Sequence, residues 1–216
     1  MKHYNTVIFD LDGTLLNTLD DLANALNHTL TQFGFPARTR DEVQNFVGNG
    51  LRKLLERAIP NGLENPEFEE VFVQFKSYYT AHCKEVTLPY PGIMEVLTTL
   101  FEKQIPMSIV SNKNDAAVKE LSADFFKGLI PVAIGEREGI LKKPAPDTVL
   151  AALSELGADA STAVYVGDSD VDIKTAANSG MDCISVSWGF REREFLEKEG
   201  ASVIIDTPSE LLKFLV

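Results

Sequence analysis

The sequence predicts an α/β fold, in which a Rossmann-like parallel sheet core carries helices on both faces and a small α-helical cap domain is attached. The apolar run Val7–Phe9, made of β-favouring residues, is typical of a strand buried on both faces. From residue 93 to residue 186, helical and strand patterns alternate, which favours parallel strands joined by right-handed crossovers. Residues 18–83 show helical patterns without a strand, so we expect a helical cap inserted after the first strand.

The cap is predicted to contain four helices. A capping residue and acidic residues in Thr18–Asp21 begin the first helix, and Gly34 ends it. Further helices are expected over Asp41–Phe46, Leu51–Ile59 and Pro66–Cys83. We therefore assign residues 1–16 and 88–216 to the core domain and residues 17–87 to the cap.

The core is predicted to resume after the turn-forming run Pro89–Gly92. Helices are expected over Ile93–Phe101, Asp115–Leu121, Pro146–Leu156, Val171–Ser179 and Pro208–Phe214. Strands are expected over Pro106–Val110, Ile130–Ile134, Ala163–Val166, Asp182–Val186 and Val203–Ile205. The sequence contains no internal repeat and no low-complexity segment.

Composition excludes several classes of function. The net charge of −12 over 216 residues, without a basic stripe, argues against a nucleic-acid partner. Cys83 and Cys183 form no CxxC pair, and we expect two free thiols in a reducing compartment. The three histidines lack the spacing of a zinc site, and no apolar run is long enough to span a membrane. We expect a cytoplasmic protein.

Polar residues follow four of the predicted core strands, where the carboxyl ends of parallel strands commonly bind ligands. They are Asp10 and Asp12 after the first strand, Ser111 and Asn112 after the second, Lys142 and Lys143 after the third, and Asp168 and Asp172 after the fourth. Two carboxylates as close as Asp10 and Asp12 are costly unless a cation or a proton lies between them. We therefore expect one edge of the sheet to collect carboxylates, a hydroxyl and a lysine.

The segment VIFDLDGTL, residues 7–15, resembles the first motif of the haloacid dehalogenase-like phosphohydrolases, and the resemblance extends from Thr6 to the C-terminus. It implies that Asp10 is a nucleophile and Asp12 a general acid and base. A carboxylate that attacks phosphorus forms an aspartyl-phosphate and divides hydrolysis into two steps. Because phosphate and carboxylate repel each other, a hard cation is needed, and Mg²⁺ fits this role.

The same resemblance implies roles for the remaining polar residues. Asp10 and Asp168 are expected to bind Mg²⁺ through their side chains and Asp12 through its backbone carbonyl, while Asp172 orients ligands. Lys143, which directly precedes a proline as in the related enzymes, is expected to neutralise phosphate and nucleophile, and Lys142 to be solvated. Ser111 and Asn112 are expected to bind phosphate oxygens.

The cap segment FVGNGLRKLLERAI, residues 46–59, resembles phosphoglycolate phosphatases most closely. Exposed backbone N–H groups at Gly48, Asn49 and Gly50, helped by Arg52 or Lys53, are suited to a substrate carboxylate, but a plain glycine hinge fits the pattern equally well. The segment from Ser187 to Arg191 departs from those enzymes, and its Trp188 is expected to be a packing residue.

These observations predict a Mg²⁺-dependent phosphatase of a small phosphorylated metabolite, with 2-phosphoglycolate as the leading substrate. Dehalogenases of the family lack an acid at the position of Asp12 and need no metal. β-Phosphoglucomutases carry a cap histidine where Leu22 stands here. Three alternatives remain: a pyrophosphatase, a β-phosphoglucomutase-like phosphotransferase and a phospho-accepting signalling module. We expect a monomer or a homodimer.

Overall fold

The computed structural model of this chain describes residues 2–215. Its strands are β1 (Thr6–Phe9), β2 (Leu16–Asn17), β3 (Leu88–Pro89), β4 (Met107–Asn114), β5 (Val132–Glu136), β6 (Ala163–Gly167), β7 (Asp182–Val186) and β8 (Ile204–Ile205). Its α-helices are α1 (Leu19–Gln32), α2 (Arg40–Phe46), α3 (Leu51–Ala58), α4 (Phe68–His82), α5 (Ile93–Glu102), α6 (Asp115–Phe126), α7 (Asp147–Leu156), α8 (Asp170–Asn178), α9 (Arg193–Lys198) and α10 (Leu212–Leu215). Across residues 2–215, none of the helices combines the length and the hydropathy that a bilayer span would need.

Six of these strands form one sheet in the order β5-β4-β1-β6-β7-β8, and each neighbouring pair is parallel. The predicted α/β class with a parallel, Rossmann-like sheet is thus confirmed. β2 and β3, which belong to the two chain segments that join core and helical insertion, form a separate two-stranded sheet.

β1 is buried on both faces, which explains its uninterrupted apolar sequence. Val7, Ile8 and Phe9 are all 0% exposed. Side chains alternate between the two faces of a strand, so Val7 and Phe9 join one hydrophobic cluster with Leu97, while Ile8 joins the other with Val149. The sheet therefore has a hydrophobic core on each face.

Strand register brings three carboxyl ends to the same level. Phe9 of β1 lies opposite Ile109 of β4 on one side and Val166 of β6 on the other. The residues that follow these positions consequently meet at one edge of the sheet.

The described chain divides into two compact units, one comprising the residues up to Leu16 and from Pro89 onward, the other Asn17–Leu88. Helices α1 to α4 make up the second unit, in which α1 packs against α4. Leu26 of α1 and Phe75 of α4 are fully buried there.

A buried carboxylate stabilises the end of this helical unit. Asp21, 2% exposed, accepts backbone hydrogen bonds from Val86 at 3.1 Å and Thr87 at 2.9 Å. These bonds tie the segment after α4 to the first turn of α1. The sequence pattern indicated Asp21 only as an acidic residue of a first helical turn.

Several elements differ from the sequence-based expectation. β2 and β3 were not predicted, and the helix expected over Pro208–Phe214 is a 3₁₀ helix over Pro208–Leu211 followed by α10. β4 does not end at Val110 but continues to Asn114, because Asn114 still pairs with Glu136 of β5 after a register shift. α6 ends at Phe126 rather than at Leu121. α9 was not predicted, since Leu196 is its one buried residue and six residues carry too short a pattern.

We expect the Asp21→Ala substitution to lower the free energy of unfolding by about 2–3 kcal/mol, because the backbone N–H groups of Val86 and Thr87 lose a charged acceptor. Urea denaturation followed by circular dichroism measures this change. Asp20→Ala is the control, since Asp20 forms an ion pair with Arg40 while 48% of its side chain is exposed. A loss no larger for Asp21→Ala than for Asp20→Ala would contradict the assigned role.

Candidate active site

Three buried carboxylates meet at the carboxyl edge of the sheet. Asp10 follows β1, Asp168 follows β6, and Asp172 lies in the first turn of α8. Their exposures are 7%, 1% and 0%, and one oxygen of each lies within 4.8 Å of one oxygen of each of the others. The sheet thus brings Asp10 to two carboxylates that lie more than 150 positions further along the chain.

Local hydrogen bonds hold two of these residues. The backbone N–H of Asp10 donates to the carbonyl of Val166 at 2.8 Å, which continues the parallel pairing one residue beyond β1. Asp172 forms a capping box with Ser169, whose backbone N–H and hydroxyl donate to Asp172 Oδ2 at 3.1 and 2.6 Å. Asp172 is therefore held by its own helix start.

Lys143 reaches this cluster from the loop between β5 and α7. Its Nζ lies 2.7 Å from Asp10 Oδ1, 2.8 Å from Asp172 Oδ1 and 3.0 Å from the hydroxyl of Tyr165. Lys143 is 4% exposed, whereas the neighbouring Lys142 is exposed. Of the two adjacent lysines, the structure brings Lys143 to the carboxylates.

The cluster shifts the pKa of its members in the directions expected for buried, coupled charges. Burial raises the pKa of Asp10 well above its usual value, and the negative charge of Asp172 raises it further, while the Lys143 ammonium opposes the shift. Burial, followed by the charge of Asp172, raises the pKa of Asp168 to about 7. Burial lowers the pKa of Lys143, but Asp10 and Asp172 outweigh it and raise that pKa well above normal.

The donor set fits a hard divalent cation. Fully ionised, the three carboxylates and the one ammonium leave two uncompensated negative charges in a buried place. Both oxygens of Asp172 already accept hydrogen bonds. Its Oδ1 accepts from Lys143 and Tyr165, and its Oδ2 accepts from Ser169. Asp10 and Asp168 are therefore the better candidates for metal ligands, and oxygen donors suit Mg²⁺.

Asp12 lies beside this cluster and has partners of its own. Its Oδ2 accepts from the Ser111 hydroxyl at 3.3 Å, and its Oδ1 lies 3.1 Å from Nζ of Lys113. The side chain of Lys113 is only 8% exposed. Sequence analysis missed Lys113, although side chains two positions apart in a strand share a face, which places it beside Ser111 in β4.

Asn112 contacts the loop that carries Lys143. Its Nδ2 donates to the backbone carbonyl of Lys143 at 3.1 Å, while its Oδ1 is buried without a partner among the described residues. The amide thus fixes the loop that carries the lysine. Phosphate binding by Asn112 remains a prediction.

The segment after β7 contributes contacts that the sequence did not indicate. The backbone N–H of Phe190 donates to Asp168 Oδ2 at 2.6 Å, and the indole of Trp188 donates to the Thr14 carbonyl at 3.0 Å. Any side chain at Gly13, where φ is +87°, or at Gly189 would collide with Asp168. Trp188 packs against the core as expected, but it also anchors the loop that follows Asp12.

The residues of the helical unit that the sequence singled out lie around the start of α3. Gly48 and Gly50 have positive φ values of 110° and 86°, and Gly50 caps the helix. The guanidinium of Arg52 is bidentate to Glu69 and lies over the ring of Phe68 at 4.8 Å. Within the helical unit, Arg52 is therefore already paired.

Comparison with known proteins identifies a family for this chain. The model of the haloacid dehalogenase-like hydrolases matches residues 7–186. A phosphoglycolate phosphatase of Aquifex aeolicus is 32% identical over 211 residues, which cover 97% of this chain and 95% of that protein. The enzyme of the same name from Pseudomonas putida is 30% identical over 216 residues, which cover 95% of this chain and 78% of that protein.

Among solved structures, a protein of Lactobacillus delbrueckii subsp. bulgaricus, provisionally assigned as a phosphoglycolate phosphatase, superimposes with a TM-score of 0.93 at 39% identity. The alignment covers 98% of this chain and 97% of that one. The fold, the acidic site and these relatives define a hydrolytic enzyme of the phosphatase class. The chain belongs to the haloacid dehalogenase-like hydrolases, as its motifs predicted.

The pKa of Asp168 predicts a pH dependence of stability in the metal-free protein. With a native pKa of about 7 against an ordinary 3.8, the folded state retains a proton that the unfolded state releases. The resulting stabilisation is present below about pH 4 and is lost as the pH rises through about 7.

Asp168→Asn keeps this side chain neutral at every pH. The free energy of unfolding of this variant, relative to that of the parent, should therefore increase between pH 4 and pH 7, by up to about 4 kcal/mol. Urea denaturation in EDTA at several pH values measures the difference. Asp182→Asn is the contrasting control, because hydrogen bonds from Lys2 and Tyr4 lower the pKa of Asp182. A pH-independent difference for Asp168→Asn would contradict the raised pKa.

Proposed function

We propose that this enzyme is a Mg²⁺-dependent phosphatase that hydrolyses a small phosphate monoester, with 2-phosphoglycolate as the best candidate, through an aspartyl-phosphate. The observation that carries the proposal is the buried group of Asp10, Asp168, Asp172 and Lys143 with Asp12 directly beside it. This set combines a nucleophile, a neutralising cation and a second carboxylate for proton transfer.

The proposed reaction has two steps. In the first, a carboxylate oxygen of Asp10 attacks phosphorus, the ester P–O bond breaks, and Asp12 donates a proton to the leaving oxygen. In the second, Asp12 accepts a proton from a water molecule that attacks the same phosphorus, and the bond between Asp10 and phosphorus breaks. Inorganic phosphate and an unmodified Asp10 result.

Asp10 and Asp168 would hold the metal ion, with the backbone carbonyl of Asp12 as a third ligand if the family resemblance extends to it. When bound, Mg²⁺ supplies positive charge that lowers the repulsion between phosphate and carboxylate. The backbone N–H of Phe190 orients Asp168 for this task through its 2.6 Å hydrogen bond.

The neighbouring polar groups support both steps. Lys143 neutralises Asp10 and the incoming phosphate. The Ser111 hydroxyl, whose single proton goes to Asp12 Oδ2 in the free enzyme, would turn to donate to a phosphate oxygen when substrate binds. Lys113 and Ser111 together orient the carboxylate of Asp12, since each contacts a different oxygen. A fixed Asp12 is suited to transferring a proton in each direction.

The relatives support the choice of substrate, since several of them carry the name phosphoglycolate phosphatase.

We propose that the helical unit acts as a cap and that backbone groups at Gly48, Asn49 and Gly50 bind the substrate carboxylate. Arg52 would have to leave Glu69 to assist them. A small phosphorylated metabolite is the proposed partner, with the protein acting in the cytoplasm as a monomer or homodimer.

Replacing the nucleophile tests the covalent step. Asp10→Asn should lower kcat by about 10³-fold or more, because an amide cannot attack phosphorus. Asp12→Asn should lower it by about 10²- to 10⁴-fold, and ³²P-labelling should then detect phospho-enzyme. Asp170→Asn, at a partly exposed position paired with Lys174, should retain activity. Substantial turnover by Asp10→Asn would exclude nucleophilic attack by this residue.

Metal removal tests the role of Mg²⁺, and a substrate panel tests the assignment of 2-phosphoglycolate as the substrate. We expect EDTA to abolish phosphate release and excess Mg²⁺ to restore it, because the buried carboxylates lose their counter-charge. Among 2-phosphoglycolate, sugar phosphates, nucleotides and pyrophosphate, phosphoglycolate should give the highest kcat/KM. Full activity in EDTA would contradict the metal role, and preference for pyrophosphate or a sugar phosphate would contradict the substrate assignment.

A further inference from the structure

The hydroxyl of Tyr165 is a buried group that the proposed reaction does not use. Tyr165 lies in the middle of β6, is 0% exposed, and belongs to the hydrophobic cluster that contains Ile8 and Val149. Its oxygen nevertheless lies 3.0 Å from Nζ of Lys143 and 3.1 Å from Oδ1 of Asp172. A polar atom in an otherwise apolar strand is costly unless its hydrogen bonds are made, and here both are.

The donors of Lys143 are fully used by the protein. An ammonium group has three N–H donors and no acceptor. Asp10, Asp172 and Tyr165 provide three acceptors at 2.7, 2.8 and 3.0 Å. For Lys143 to donate to a phosphate oxygen, as the proposed function requires, it must therefore release one of these acceptors or weaken its bond to it.

The three acceptors are not equivalent. Asp10 and Asp172 are carboxylates, and a full negative charge attracts the ammonium more strongly than the dipole of a neutral hydroxyl does. Tyr165 is the neutral acceptor, and its contact is also the longest of the three. Burial raises the pKa of Tyr165 well above its usual value, so its hydroxyl keeps the proton that it donates to Asp172.

We propose that Tyr165 holds the third N–H of Lys143 in the free enzyme and is the acceptor that this lysine exchanges for a phosphate oxygen when substrate binds. The inference rests on the proposed function and deepens it. Tyr165 is a positioning residue in this account: it keeps the ammonium fixed between Asp10 and Asp172 without contacting the reacting atoms. Its hydrogen bond to Asp172 is independent of the exchange.

This exchange has a consequence that a purely structural hydroxyl would not have. Tyr165→Phe retains the ring, over which Nζ of Lys143 lies at 5.7 Å from the centroid, and removes only the hydroxyl. The free enzyme then has an unpaired N–H on a nearly buried ammonium, whereas the phosphate complex does not. Phosphate should therefore bind more tightly to Tyr165→Phe than to the parent, by about 2- to 10-fold.

Isothermal titration calorimetry of inorganic phosphate in excess Mg²⁺ measures this affinity directly, without requiring turnover. Tyr4→Phe is the matched control, because it also removes a hydroxyl that contacts a carboxylate, that of Asp182 at 3.0 Å on the surface. We expect a lower Kd for Tyr165→Phe and an unchanged Kd for Tyr4→Phe. Thermal unfolding of each variant shows whether the fold is retained.

An unchanged or higher Kd for Tyr165→Phe would overturn the exchange, as would a parent protein that binds no phosphate. A lower melting temperature with an unchanged Kd would assign the hydroxyl a structural role only. The proposed function is tested separately by turnover of the parent on the substrate panel. The parent could hydrolyse no phosphate ester and still bind phosphate more weakly than Tyr165→Phe does. The first result would contradict the proposed function, while the second would support the exchange.

Discussion

The balance of charge between three buried carboxylates and one buried ammonium is the constraint on which this structure depends. Asp10, Asp168 and Asp172 lie too close together to be ionised at no cost in a place that excludes water. Lys143 compensates one charge through contacts to two of them. The remaining negative charge makes this a place that could hold a divalent cation.

The parallel sheet makes this concentration of charge possible. β1 is central, with β4 and β6 as its neighbours, so polar residues of these three strand ends meet at one edge. Lys143 joins them from the loop between β5 and α7. Fixed strands hold the carboxylates against their mutual repulsion, and Gly13 and Gly189 allow the backbone to approach Asp168 where any side chain would collide. The stability of the hydrophobic core on both faces thus offsets the cost of burying these charges.

The periodic and motif-bearing parts of the chain were predictable. Alternating helix and strand patterns led to the parallel sheet, and the carboxylates after the first and fourth core strands are brought together as expected. Lys113, Tyr165 and Phe190 were not identified. Phe190 contributes a backbone N–H, which every non-proline residue has, and Tyr165 is indistinguishable in sequence from an apolar residue of a buried strand. Their roles depend on contacts between distant segments.

The sequence by itself determined the α/β class, the helical insertion and the residue types of the acidic site, because hydrophobic period and short motifs are local properties. The tertiary structure alone decided which atoms meet: that Lys143 rather than Lys142 enters the cluster, that Lys113 contacts Asp12, and that Tyr165 completes the acceptors of the ammonium. Partners in such a network are set by strand register and loop packing, and neither is encoded within any single segment of the chain.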